Sequence, residues 1–61
     1  MITGQELKNI LKEIGITQKR CGEHTQINES YISEFITGRR DLDSQQMIRL
    51  NNYVDKLRAI L

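Results

Sequence analysis

The chain has 61 residues, of which 28% are charged, and its formal net charge at pH 7 is +1. A chain of this length supports one domain with a small core, so we expect no separate ligand-sensing domain. Its single cysteine excludes an internal disulfide, so self-association is the expected further source of stability.

The sequence lacks the patterns that direct a chain to a membrane or through one. No run of uncharged apolar residues approaches the roughly 18 needed to span a bilayer, and the start Met-Ile-Thr-Gly-Gln-Glu does not resemble a signal peptide. A lone thiol, Cys21, suits a compartment that keeps cysteines reduced. We therefore expect a cytoplasmic protein with no membrane partner.

Residues 3–14 carry the pattern of an amphipathic helix. Thr3 and Glu6 have the spacing of a capping box, and Gly15 is placed to end the helix in a left-handed conformation. Apolar residues recur between them at helical spacing: Leu7, Ile10, Leu11 and Ile14.

Two short helices, joined by three residues, are predicted next. Thr17 is a good N-cap for a helix over about 18–24, and Asn28 is one for a helix over about 29–37, which Gly38 ends. The connection between them contains one apolar residue, a pattern typical of a helix-turn-helix. The side chains expected to point inward are Cys21, Ile27, Ile32 and Phe35.

Asp43 is placed to cap a last, extended helix over residues 44–60. Its apolar residues recur at intervals of three and four: Met47, Leu50, Val54, Leu57 and Leu61. One long helix is the preferred interpretation, but Asn51 and Asn52 are poor helix formers and would allow a division into two. The predicted fold is therefore a single all-α domain over residues 1–61 with four helices, or five.

The polar residues of segment 17–40 suit a DNA duplex. A protein reads DNA by laying a helix in the major groove while basic and backbone groups hold the phosphates. Thr17 and Gln18 open the second helix, whose free N–H groups favour a phosphate, and Arg39 and Arg40 follow the third. The outward side chains of the third helix are the expected base-reading set: Glu29, Ser30, Tyr31, Ser33 and Glu34.

This segment resembles the helix-turn-helix of the phage repressor and Cro family, which typically opens with Thr-Gln and closes with Gly-x-Arg. The resemblance covers residues 17–40 closely, and the first and last helices loosely. It implies a lambda-repressor-like DNA-binding domain. The residues that carry it are Thr17-Gln18, Ile27, Asn28, Tyr31-Ile32-Ser33, Phe35, Gly38 and Arg40.

The resemblance also implies roles along the duplex. It implies that Gln18 contacts a phosphate near the edge of a half-site, and that Glu29, Ser30 and Glu34 face base edges. A carboxylate there can accept from the exocyclic amine of cytosine or hold an arginine in place, so we expect Glu29 or Glu34 to exclude wrong sequences. The residues expected along the phosphates are Thr17, Gln18, Lys19, Asn28, Thr37, Arg39 and Arg40.

Two positions depart from the family pattern. The family usually has alanine where Gly22 stands, and glycine in the turn where Gln26 stands. A residue other than glycine in this turn needs a strained or altered backbone. We therefore expect a looser second helix and a changed turn.

The end of the last helix is the expected dimer surface. Little chain remains to cover it, so Leu57, Ile60 and Leu61 are expected to be exposed in a monomer. The predicted homodimer interface comprises Tyr53, Val54, Leu57, Ile60 and Leu61. The predicted function is a transcriptional repressor that binds a palindromic operator as this dimer.

Two other functions stay open. One is the antitoxin of a toxin-antitoxin pair, whose last helix would bind the toxin. The other is a restriction-modification controller, which Tyr31-Ile32-Ser33 and Gly38-Arg39-Arg40 also resemble. A toxin or an antirepressor is accordingly a conceivable protein partner.

Enzymatic chemistry has no candidate residues in this sequence. No nucleophile-base pair, metal-ligand cluster or glycine-rich phosphate loop is recognisable, so we expect no enzyme, metal or cofactor. Cys21 is expected to be a small core residue, and His24 a polar residue at a helix end.

Overall fold

The computed structural model describes residues 2–60. Within this range the chain forms four α-helices and no strand, which confirms the all-helical prediction. The helices are α1 (Gly4–Ile14), α2 (Gln18–Thr25), α3 (Glu29–Ile36) and α4 (Ser44–Arg58). Helix α4 continues through Asn51 and Asn52, so the five-helix alternative is wrong. None of these helices has the length and apolar character required to cross a membrane.

Local hydrogen bonds explain why the helices begin where they do. The hydroxyl of Thr3 accepts from the Glu6 N–H at 3.2 Å, and the Glu6 carboxylate accepts from the Thr3 N–H at 3.2 Å. Asp43 and Gln46 form the same reciprocal pair at the start of α4, with distances of 2.7 Å and 3.1 Å. These pairs satisfy N–H groups that a helix start leaves without partners.

The core lies where α1 packs against α3 and α4, and where α2 packs against the same two helices. Cys21, Ile27 and Ile32 are buried as predicted, whereas Phe35 packs at the edge of the core and stays partly exposed. The buried apolar residues are Ile2, Leu7, Ile10, Leu11, Cys21, Ile27, Ile32, Leu42, Met47, Leu50, Val54 and Leu57.

The second half of α4 is more buried than the sequence predicts. Val54 is 1% exposed and Leu57 is 5% exposed, so Leu57 is not exposed in the single chain, contrary to expectation, and both predicted interface side chains lie in the core. The reason is that α1 and α2 both cover α4, and buried Ile2 joins the same core. The Ile2 N–H donates to Oδ1 of Asn51 at 3.3 Å and ties the N-terminal segment to α4.

The connection between α2 and α3 has an unusual backbone. Gln26 has φ 59° and ψ 35°, and it is the only residue other than glycine with positive φ between residues 2 and 60. This confirms the expected strain. Gly22 is buried, and a Cβ added to it would lie 2.6 Å from the carbonyl oxygen of Ile27. Instead of loosening α2, Gly22 therefore allows the turn to pack closely against it.

Candidate nucleic-acid interface

The side chains predicted to read bases surround an accessible part of α3. Glu29, Ser30 and Tyr31 are exposed, and Ser33 and Glu34 are half-buried, whereas Ile32 between them is fully buried. An open groove of about 590 Å³ joins this side of α3 to the start of α2. The groove is lined by Gln18, Asn28, Glu29, Ser30, Ser33 and Glu34.

The start of α2 has unused hydrogen-bond donors. The hydroxyl of Thr17 accepts from the Arg20 N–H at 3.1 Å, and the Thr17 carbonyl accepts from the Cys21 N–H at 3.0 Å. The N–H groups of Gln18 and Lys19 have no acceptor in the part of the chain that the structure describes. Two free donors at the positive end of a helix dipole are suited to an anion.

At the start of α3, the side chains of Asn28 and Ser30 are joined. Oδ1 of Asn28 accepts from the Ser30 N–H at 2.9 Å and from the Ser30 hydroxyl at 2.7 Å. Because this hydroxyl has already donated its hydrogen, it presents only lone pairs to the groove. With the carboxylate of Glu29 beside it, the first turn of α3 offers hydrogen-bond acceptors.

The residues after α3 fold back onto that helix. Gly38, with φ 79°, reverses the chain. Nε of Arg40 then lies 3.5 Å from Oε1 of Glu34, and its Cζ lies 4.0 Å from the centroid of the Tyr31 ring. The structure thus joins Arg40, predicted to lie along the phosphates, to two residues predicted to read bases. Arg39 is exposed and has no ion pair within residues 2–60.

The hydroxyl of Thr37 is engaged within the end of α3. It donates to the carbonyl oxygens of Ser33 at 3.2 Å and Glu34 at 3.1 Å. In this arrangement the Thr37 side chain has no hydrogen left to donate to a phosphate, although the sequence predicts that contact.

The charges of this surface are not uniform. Glu34 is paired with Arg40, whereas Glu29 is exposed and has no ion pair among the described residues. Close to DNA, an unpaired carboxylate is repelled by the phosphates unless it accepts a hydrogen bond from a base. Within residues 2–60, Glu29 is therefore the unpaired carboxylate on the exposed side of α3.

Cys21 and His24 occupy ordinary structural positions. Cys21 is fully buried, as predicted, and burial raises the pKa of its thiol to about 11. The exposed ring of His24 stacks on Tyr53, with centroids 5.4 Å apart and planes 13° apart. Burial also raises the pKa of Tyr53 above its ordinary value. No group of three or more His, Cys, Asp or Glu side chains in residues 2–60 is arranged to hold a metal ion.

The predicted dimer surface retains two described residues. Ile60 is 73% exposed, and Tyr53 is half-buried, because it packs against the core and its ring stacks on His24. Leu61 lies outside the described residues. Ile48 is 59% exposed and was not predicted to be functional. The exposure of Ile48 can be predicted from the sequence, because this residue falls outside the apolar spacing of α4.

No family model, no curated protein and no solved structure matches this chain. Its function is therefore inferred from its own residues, their contacts and their exposure.

Proposed function

We propose that the protein is a sequence-specific transcriptional repressor that binds a palindromic DNA operator as a homodimer. In this proposal α2 and α3 form a helix-turn-helix, and α3 enters the major groove with its first turn towards the base edges. The observation that carries the proposal is the open groove between the start of α2 and the exposed side of α3. Hydrogen-bond donors suited to a phosphate lie at the start of α2, on one side of the groove. Hydrogen-bond acceptors suited to bases lie in the first turn of α3, on the other side.

The phosphate contacts come from the start of α2 and from the loop after α3. The free N–H groups of Gln18 and Lys19 bind one phosphate, with the Lys19 side chain adding charge. Arg39, exposed and without an ion pair between residues 2 and 60, binds a second. These contacts position the protein on the duplex but carry no sequence information.

The base contacts come from the first turn of α3. Glu29 and Ser30 both present acceptors, and in the major groove the donors are the exocyclic amines of cytosine and adenine. The half-site therefore has cytosine or adenine opposite this turn. Guanine or thymine at the same edge would place acceptor against acceptor, which costs affinity.

A palindromic operator requires a two-fold axis between two copies of the chain. Ile60 and the exposed part of Tyr53 provide the apolar surface for this contact, since Val54 and Leu57 are buried within each copy. To bind such an operator, the two α3 helices must lie about 34 Å apart, in successive major grooves.

Selection of bound sequences from random DNA tests the proposal. We expect an enriched palindrome whose half-site centres are separated by about one helical turn, roughly 10 base pairs. Retention of DNA without any enriched sequence, or no retention at all, would contradict it. A reporter gene downstream of the enriched site then separates a repressor, which lowers expression, from an activator.

The variant Glu29→Gln examines the base-reading face directly. We expect it to bind unrelated DNA more tightly and to discriminate less at one base pair, because a repelling and selective charge is removed. Glu13→Gln makes the same charge change on the exposed side of α1 and is the matched control. Equal effects of the two substitutions would show that only net charge matters.

A further inference from the structure

We propose that Arg40 reads a guanine in the major groove, and that Glu34 and Tyr31 hold its guanidinium in place to do so. This inference rests on the proposed DNA-binding function. It assigns Arg40 to sequence recognition, whereas the sequence predicts a phosphate contact for this residue, and it makes Glu34 a positioning residue.

The two contacts of Arg40 restrict different parts of its guanidinium group. The ion pair with Oε1 of Glu34 at 3.5 Å involves Nε, on one edge of the group. The Tyr31 ring, with Cζ 4.0 Å from its centroid, covers one face. The end that bears the two terminal NH₂ groups has no hydrogen-bond or ion-pair partner within residues 2–60.

This free end matches one base edge in particular. Two parallel N–H donors fit the two adjacent acceptors of guanine, O6 and N7, which no other base presents as a pair in the major groove. An unrestrained arginine loses side-chain freedom when it forms such a contact. Because Glu34 and Tyr31 already restrain Arg40, less of that freedom remains to be lost on binding.

The charge of Glu34 supports the same assignment. An isolated carboxylate on this surface would repel the phosphates, but Glu34 is neutralised by Arg40 and its Oε1 is directed to Nε. Arg39 provides the natural comparison, because it is the neighbouring arginine, is exposed and has no ion pair in the described part of the chain. A phosphate needs charge but no fixed plane, which suits Arg39.

The test compares Arg40→Ala with Arg39→Ala on the selected operator and on its single-base-pair variants, at several salt concentrations. For Arg40→Ala we expect discrimination at one G·C pair to fall about 10-fold or more, with the salt dependence of binding largely unchanged. For Arg39→Ala we expect all sequences to weaken alike, and the salt slope to fall by about one.

Glu34→Gln and Tyr31→Leu test the positioning role. Both are expected to reduce discrimination at the same G·C pair while leaving the thermal midpoint of unfolding close to wild type, because these side chains are substantially exposed. Tyr31→Phe keeps the aromatic ring, so this variant should discriminate at the G·C pair as well as the wild-type protein does. Glu13→Gln is the charge-matched control.

Three results would overturn the inference. If Arg40→Ala lowered the affinity for all sequences alike and also lowered the salt slope, Arg40 would contact a phosphate. If Arg40→Ala bound every sequence as the wild-type protein does, Arg40 would make no contact with DNA. In both cases selective binding by the wild-type protein would leave the proposed function intact. A wild-type protein without any sequence preference would overturn the function and the inference together.

Discussion

Nε of Arg49 on α4 donates a hydrogen bond of 2.9 Å to the carbonyl oxygen of Thr25, the last residue of α2. The final carbonyl groups of a helix have no partner within it, so this contact closes the end of α2 and ties it to α4. We expect Arg49→Met, which keeps the aliphatic stem, to lower the free energy of unfolding by about 1–3 kcal/mol. Urea denaturation measures this loss.

Arg58→Met is the matched control for Arg49→Met. It breaks an exposed ion pair with Glu6, whose atoms lie 3.6 Å apart, and it should cost at most about 1 kcal/mol. Equal losses in the two variants would contradict a specific role for the contact between Arg49 and Thr25.

Gly22→Ala should destabilise the protein even though alanine favours helix by up to about 1 kcal/mol. The new Cβ would lie 2.6 Å from the carbonyl oxygen of Ile27, so the backbone of the turn must move, at a cost of about 1–3 kcal/mol. Thermal unfolding measures the net effect. Glu23→Ala, on the exposed side of the same helix, should change stability by about 0.5 kcal/mol or less. A stabilised Gly22→Ala variant would show that the turn relaxes freely.

Gln26→Gly should stabilise the protein. The left-handed conformation of Gln26 costs a residue with a Cβ about 1–2 kcal/mol, and the greater freedom of glycine in the unfolded chain offsets part of this. We expect a net gain of roughly 0.5–1 kcal/mol in the free energy of unfolding, measured in urea. Gln26→Ala keeps a Cβ and should show no gain; a gain in both variants would point to a cause other than backbone strain.

The thiol of Cys21 should be unreactive in the folded protein. Burial raises its pKa from 9.0 to about 11, so near pH 8 the thiolate fraction alone is lower by about 100-fold, before access is considered. Alkylation by iodoacetamide, followed by mass spectrometry, should be slow in the native protein and fast in urea. Comparable rates in the two states would show that the thiol is accessible.

The raised pKa of Cys21 also has a consequence for stability at high pH. The folded state favours the protonated thiol, so its contribution to stability is complete below pH 9.0 and is lost as the pH rises through about 11. Stability should therefore fall across this range. The fall should be smaller in Cys21→Ala, with the raised pKa of Tyr53 contributing the remainder.

Ile60→Asp should weaken self-association, because it places a charge on the proposed dimer surface. Ile48→Asp is the matched control, as it makes the same change at a second exposed isoleucine that the proposed surface does not use. Sedimentation equilibrium gives the dimer dissociation constant of each variant. A loss of dimer in Ile48→Asp but not in Ile60→Asp would contradict the proposed surface and place the interface at Ile48.

Some residue roles were predictable because their cause lies within a few residues. Thr3, Thr17, Asn28 and Asp43 each begin a helix, since a capping side chain bonds to a backbone N–H two or three residues away. The exposed side of α3 was predictable in the same way, because Ile32 must face the core and its neighbours then face solvent.

Other roles were not predictable because their partners are distant or lie across a turn. No local pattern connects Arg49 to Thr25, and none indicates that Arg40 would lie over Tyr31 instead of extending from the domain. The spacing of Val54 and Leu57 shows that α4 has an apolar side. It does not show whether that side meets another copy or the rest of the same chain.

By itself, the sequence determined the helices, their starts and the polar side of α3, because capping and periodicity act over at most a few turns of backbone. Only the tertiary structure decided that α1 and α2 pack against α4 and leave Val54 and Leu57 buried, and that Arg40 lies against Glu34 and Tyr31. Both depend on how whole helices pack, and packing follows from the combined shape and burial of many side chains.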